Sequence, residues 1–174
     1  MSRASTPSAA AGGLRWLGVS ALVLALDLAT KAWISASFQY GEVKVITSFF
    51  NLVLAHNTGA AFSFLAGAGG WQRWFFTGIA IAISVGLVVL LARHRGPAKV
   101  ALAYALVLGG AVGNLWDRIT LGHVVDFVQL HAAGYYWPAF NVADSAICAG
   151  VALLLLDSLR PAPAAEPAPP PEKP

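Results

Sequence analysis

The sequence predicts an all-α membrane protein: four transmembrane helices with a small extracytoplasmic β-sheet and loop element. Two observations predict it. Hydrophobic residues make up 57% of the chain and charged residues 11%, with positive mean hydropathy, a composition far from that of a soluble domain. The 174 residues also break into apolar stretches that, at roughly 20 residues per crossing, leave room for about four spans and short connections. A single domain, residues 14–160, is therefore expected between two tails. The net charge of +3 does not point to nucleic acid, because Lys and Arg stand at the ends of apolar segments and form no basic stripe. Cys148 is the one cysteine, so a disulfide framework and a cysteine metal site are both excluded, and packing is its expected role.

Residues 1–13 are Ser, Ala, Thr, Pro and Gly with Arg3, a composition that buries no core and is expected to be disordered. Residues 14–34 form the first span. A cleaved secretory signal is excluded there, because the run is too long and contains Asp27 and Lys31. Residues 38–70 mix β-branched and aromatic residues (VKVITSFFNLVLAH) with the glycine-rich NTGAAFSFLAGAGG, which predicts short strands and a loop. Trp71, Trp74, Phe75 and Phe76 open the second span, residues 71–91, with side chains suited to a membrane interface. The third span covers 100 to about 116, and Gly109, Gly110 and Gly113 give it a smooth face for a neighbouring helix. Residues 117–137 are expected as a connection. The fourth span begins near Pro138, placed in the first helical turn where a missing N–H is harmless, and runs to 159. Residues 161–174 form a proline-rich extended tail.

Basic residues set the orientation, since cytoplasmic ends collect Lys and Arg. Arg3, Arg15, Arg93, Arg95, Lys99, Arg160 and Lys173 fall on one side, outnumbering Lys44, Arg73 and Arg118 with Lys31 nearby. Both termini are therefore expected in the cytoplasm and the two long connections outside.

Asp126 and Asp144 are the expected catalytic residues. Asp126 stands in the apolar HVVDFVQL, and Asp144 about two turns into the fourth span in PAFNVADSAI. Two carboxyls converging in a low-dielectric place cannot both ionise easily, so one keeps a proton while the other acts as base. This is aspartic-protease chemistry and needs no metal or other cofactor. The blander reading has Asp126 capping a turn and Asp144 bonding a neighbouring helix. Asn141 is expected one turn before Asp144 on the same face. Asn114 and Arg118, four apart, project toward the site, where Arg118 holds a substrate oxygen or else pairs with Asp117 or reaches lipid phosphates. Asp27 and Lys31 have the spacing of an ion pair that fixes the first helix. Counted from residue 14, Asp27 lies roughly 20 Å along the span. Asn57 either reaches the site or makes a turn. His56, His94, His123 and His131 lack zinc-hydrolase spacing, and Ser63 and Ser145 lack a nucleophile-elbow setting.

These pieces resemble the lipoprotein signal peptidases, or signal peptidase II, of bacteria. The matching segments are DLATK at 27–31, FNLVLAHNTGAAFSF at 50–64, GGAVGNLWDRITLGHVVDF at 109–127 and FNVADSAI at 140–147. They recur in order across nearly the whole chain apart from the tails. The resemblance implies an enzyme of the inner membrane whose catalytic pair is Asp126 and Asp144, at the outer face. It implies support or substrate contact from Asp27, Asn57, Asn114, Arg118 and Asn141, beside which Lys31 is the support residue expected from its spacing to Asp27. The implied substrate is a prolipoprotein cut before a cysteine that already carries diacylglycerol, reached from membrane lipid; the chain itself is expected to act as a monomer. Globomycin is the implied inhibitor.

A small proton-coupled transporter or channel is the rival from another class, because intramembrane carboxylates also relay protons. Against it, the two halves of the chain do not repeat and the acids gather at one end. A third reading, an assembly subunit held together by polar pairs, would tolerate Asp-to-Asn changes.

Overall fold

The computed structural model describes residues 11–59 and 69–159. Residues 1–10 and 160–174, which include Arg3, Arg160 and Lys173, and Ser63 in the glycine-rich stretch lie outside the described residues; residues 11–13, expected as the end of a disordered tail, are helical. A short helix α1 (Ala11–Leu14) leads into α2 (Leu17–Ser37), followed by strands β1 (Val43–Thr47) and β2 (Phe50–Asn57). Helices α3 (Trp71–Arg93) and α4 (Ala98–Thr120) come next, then β3 (Val124–Ala132), β4 (Tyr135–Tyr136) and α5 (Val142–Ser158). The protein is mostly helical. The stretch from Gly12 to Ser37, α3 and α4 are each long and apolar enough to cross a membrane. Helix α5 has 17 residues, about 25 Å at 1.5 Å per residue.

Helix α4 is the axis of the fold and packs against α2, α3 and α5. Its residues explain this. Ala101, Ala103 and Ala105 are fully buried, and the glycines that follow remove the side chains that would keep neighbours away. A Cβ at Gly109 would lie 2.7 Å from the Ser20 carbonyl of α2, and one at Gly110 would run into the Ala143 carbonyl of α5. The smooth face expected from the sequence thus serves two neighbours. Ser20 adds a tie by donating its hydroxyl to Ala105 O at 2.8 Å. At the far end, Leu87, Leu91, Ala101 and Leu108 form one core cluster with Trp16 and Leu17 against it. Lys99 and Asp157 pair there and join α4 to α5. Outward-facing Leu22, Leu26, Val85, Leu90, Leu155 and Leu156 remain exposed, as lipid-facing side chains would.

The four strands make one antiparallel sheet in the order β1-β2-β3-β4. Ile34 and Phe38 at the end of α2 pack on Leu54, Val125 and Phe127, which sets the sheet over that end of the bundle. Ala133 and Gly134 both have positive φ (48° and 83°), the two-residue turn that matches the twist of a β3–β4 hairpin.

Two further expectations need correction. The segment 117–137, expected as a connection, holds the last turn of α4 and two strands; VVDFVQL is rich in β-branched residues with one aromatic, which favours a half-buried pleated strand. Pro138 is not in a helix. Phe140 instead bridges Val128 of β3 through paired backbone hydrogen bonds, and this draws residues 138–141 onto the sheet and delays the start of α5 to Val142.

Candidate active site

Asp126 lies on β3, opposite Ala55 of β2. The strand periodicity turns Val124 and Asp126 to one face and Val125 and Phe127 to the other, so Asp126 shares its face with cleft-lining Val124 while its neighbours feed the core. Its side chain is 2% exposed. Asn141 Nδ2 donates to its Oδ1 at 2.7 Å and Asn57 Nδ2 to its Oδ2 at 3.1 Å. Burial first, then the carboxyl of Asp144, push Asp126 up to about 7, and the two amide donors and the charge of Lys31 pull it back only in part.

Asp144 lies in the first turn of α5 and Asn141 is its N-cap. The sequence placed Asp144 about two turns into the helix, with Asn141 inside it; the start of α5 at Val142 corrects both. The Asn141 Oδ1 accepts the Asp144 N–H at 2.9 Å, which satisfies one of the unpaired donors of a helix start. Asn114 of α4 donates its Nδ2 to Asp144 Oδ1 at 2.7 Å. The Asn141 amide also lies 3.3 Å from Asn114 Oδ1. Asp126, Asn141, Asn114 and Asp144 therefore form one continuous hydrogen-bonded chain. The two carboxyls, 18 positions apart on a strand and a helix, are joined through two amides.

Behind this chain sits a buried ion cluster. Lys31 Nζ, on a 3% exposed residue, lies 2.7 Å from Asp27 Oδ2, 2.9 Å from Asp117 Oδ2 and 3.0 Å from Asn114 Oδ1. The pair Asp27–Lys31 is present as the spacing implied. Asp117, however, pairs with Lys31 and accepts the Val125 N–H at 3.1 Å; it is not the partner of Arg118. Its position three residues after Asn114 in an apolar helix was the signal that it faces the same way. Asp27 Oδ1 accepts the Ala143 N–H at 2.9 Å, another donor at the start of α5. The Asp27 carboxylate fits there because residue 113 is glycine: a Cβ would lie 2.5 Å from Asp27 Oδ2.

Arg118 donates to Gly59 O at 2.9 Å and Asn114 O at 3.3 Å, with its guanidinium over the Phe76 ring at 5.6 Å. Arg73 of α3 donates to the carbonyls of Arg118 and Ile119 at 2.7 and 2.8 Å, closing the otherwise unpaired end of α4. Asn57 does both things considered for it: it reaches Asp126, and its Oδ1 accepts the Gly59 N–H at 2.9 Å in a local turn.

A cleft of about 590 Å³ opens beside these groups. Phe76, Ile79 and Ile83 of α3 form one wall, Ala111 of α4 and Ile147 of α5 the other, with Trp137 and Phe140 near the sheet. Asn57, Asn114, Arg118 and Asp144 are its polar lining among mostly apolar residues. An apolar channel with convergent polar groups is the common form of a binding site. The α3 wall was not singled out from the sequence; only the aromatic run at its start hinted at it. Cys148 lines the same cleft.

A family model for signal peptidase II matches residues 19–160. Among curated relatives, the lipoprotein signal peptidase of Ralstonia nicotianae is 58% identical over 145 residues, 83% of this chain and 84% of its own. That of Janthinobacterium sp. (strain Marseille) is 51% identical over 153 residues, 88% of this chain and 93% of its own. Two solved structures described as a bacterial membrane enzyme superpose with TM-scores of 0.75 and 0.73 at 31% and 32% identity. They cover 83% and 84% of this chain, and 87% and 93% of theirs.

Proposed function

The chain belongs to the signal peptidase II family and removes signal peptides from prolipoproteins, and on that premise we propose that Asp126 and Asp144 are the aspartic pair that hydrolyses the peptide bond. One observation carries the assignment: carboxyls from β3 and α5 are linked through Asn141 and Asn114, and the Asn114–Asp144 end of that chain lines an apolar cleft.

We infer a division of labour between the two. Asp126, buried and pushed up to about 7, is the member that keeps the proton and donates it to the scissile carbonyl oxygen. Asp144 lines the cleft in the first turn of α5, where the helix terminus favours negative charge. It takes a proton from a water, whose oxygen bonds to the carbonyl carbon. As the C–N bond breaks, the proton held by Asp144 passes to the leaving nitrogen, and the hydroxyl formed from the carbonyl oxygen returns its proton to Asp126 as the carboxyl product forms. Arg118 and Asn57 flank the cleft and hold the substrate backbone or the lipid ester oxygens. The apolar wall of Ile79, Ile83 and Ile147 takes the signal segment and the diacylglycerol on the cysteine that follows the cut. Globomycin competes for the same space.

Helix α5 is the fourth span, with both termini in the cytoplasm and the sheet on the outer surface of the inner membrane; the chain works as a monomer. The test is cleavage of a diacylglyceryl-modified prolipoprotein by purified Asp126→Asn and Asp144→Asn. Each folded variant is expected to lose about 1000-fold or more in rate, within the range of general acid–base catalysis. Near wild-type cleavage by either one would falsify the pairing, and no cleavage by the unaltered protein would favour a transporter.

A further inference from the structure

We propose that Lys31 is a positioning residue of the peptidase reaction: without touching substrate, its ammonium fixes which end of the Asn114 amide faces Asp144. The inference rests on the aspartic pair proposed above and adds a cause for its geometry.

An amide is polar at both ends and similar in shape when turned over, so its orientation must be imposed by neighbours. At Asn114 the neighbour is unambiguous. An ammonium only donates and never accepts, and Lys31 Nζ donates to Asn114 Oδ1 at 3.0 Å while its charge pairs with Asp27 Oδ2 and Asp117 Oδ2 at 2.7 and 2.9 Å. Asn114 must therefore present its oxygen to Lys31 and its Nδ2 to Asp144, where the distance is 2.7 Å. The backbone repeats the device at Asn141. There the Asp144 N–H occupies Oδ1 at 2.9 Å, which turns Nδ2 toward Asp126 at 2.7 Å. The inner oxygen of each carboxyl thus receives an N–H whose direction is set from behind. An inverted Asn114 would put a carbonyl oxygen against Asp144 and repel the charge the base needs.

The two carboxylates on Lys31 have their own duties. Asp117 accepts the Val125 N–H beside Asp126, and Asp27 accepts the Ala143 N–H beside Asp144. One cation thereby connects α2, α4, β3 and α5 at the residues adjoining both members of the pair. Lys31 does not line the catalytic cleft; it lies against a separate recess on the other side of α4, with Leu28, Trp116 and Asp117.

The test uses the full-length protein in lipid or detergent and separates kcat from KM. Lys31→Met is expected to lower kcat about 100-fold, the scale of an ångström-level misplacement of a catalytic group, while KM stays within about twofold because no substrate contact is removed. Asn114→Leu is expected to lower kcat similarly. Combining the two should add little, since both remove the same oriented donor, whereas independent effects would multiply. Leaving Asp27 and Asp117 without a counter-ion can prevent folding, so Lys31→Met with Asp117→Asn is the companion variant, which retains the net charge of the cluster. It should fold and keep the kcat defect. Wild-type kcat per folded molecule in either Lys31 variant, or losses that multiply with Asn114→Leu, overturns the proposal and leaves Lys31 a helix tie. Activity in Asp126→Asn or Asp144→Asn, measured alongside, would instead remove the aspartic pair itself, so the two failures are distinguishable.

Discussion

Asp126 shows how one side chain couples folding to pH. Its carboxyl titrates near 3.8 when unfolded and near about 7 in the fold. Below 3.8 both states carry the proton. Between those values the unfolded chain releases it and the folded chain keeps it, so this group's contribution to stability falls as pH rises and is lost once the folded carboxyl ionises. The difference is on the order of 4 kcal/mol, at about 1.4 per pH unit. Asp126→Asn should therefore show a smaller drop in thermal stability between pH 5 and pH 8 than the wild type, read by unfolding in detergent; an equal drop would discredit the buried-acid account. Asn141 makes a second separation possible. Asn141→Ala removes both the cap of α5 and the donor to Asp126, at about 1 kcal/mol for the cap alone. Asn141→Ser restores the cap without reaching Asp126, so it should recover stability and leave cleavage impaired. At this scale much was readable in advance, because acids and amides are costly inside an apolar chain and announce themselves. What could not be read was which partner each would find: Asp117 was open to Arg118 by proximity in sequence, and only the packing of α2 against α4 delivers it to Lys31.

Helix α4 makes the prediction at the level of elements. Gly110→Ala forces a Cβ into the Ala143 backbone and Ile147, which should cost about 1–3 kcal/mol and displace the segment bearing Asp144. Gly86, inside α3, faces open space; Gly86→Ala should be neutral or stabilising by up to about 1 kcal/mol. Thermal unfolding of the pair, with cleavage rates per folded molecule, checks both. The spacing of apolar runs located the long helices to within a few residues because hydropathy alone sets their length. Strands β3 and β4 were harder. VVDFVQL has the β-branched composition of a strand, but its register comes from β2, supplied by residues some seventy positions earlier. The start of α5 was misplaced for a related reason: Pro138 suits a helix start, yet Phe140 is held to β3 first, and a local preference yielded to a contact with the sheet.

For the whole molecule, the cleft between α3 and the α4–α5 pair gives the test of substrate entry. Ala80 lines it and has no part in the hydrogen-bonded chain, so Ala80→Phe should raise KM about tenfold, equivalent to about 1.4 kcal/mol, with kcat and thermal stability little changed. An unaltered KM would place the path elsewhere. No single stretch of sequence disclosed this channel, since its walls come from three helices and the sheet. The same distribution bears on how the protein comes into being. Asp27 is made early and Ala143 late, and the carboxylate of the one receives the N–H of the other. A ribosome that has delivered only the first three long helices has built a scaffold without its second acid. With Asp126 and Asp144 as the proposed pair, cleavage begins only once the final helix is in place, so a truncated or half-inserted product would cut nothing in the bilayer that holds it.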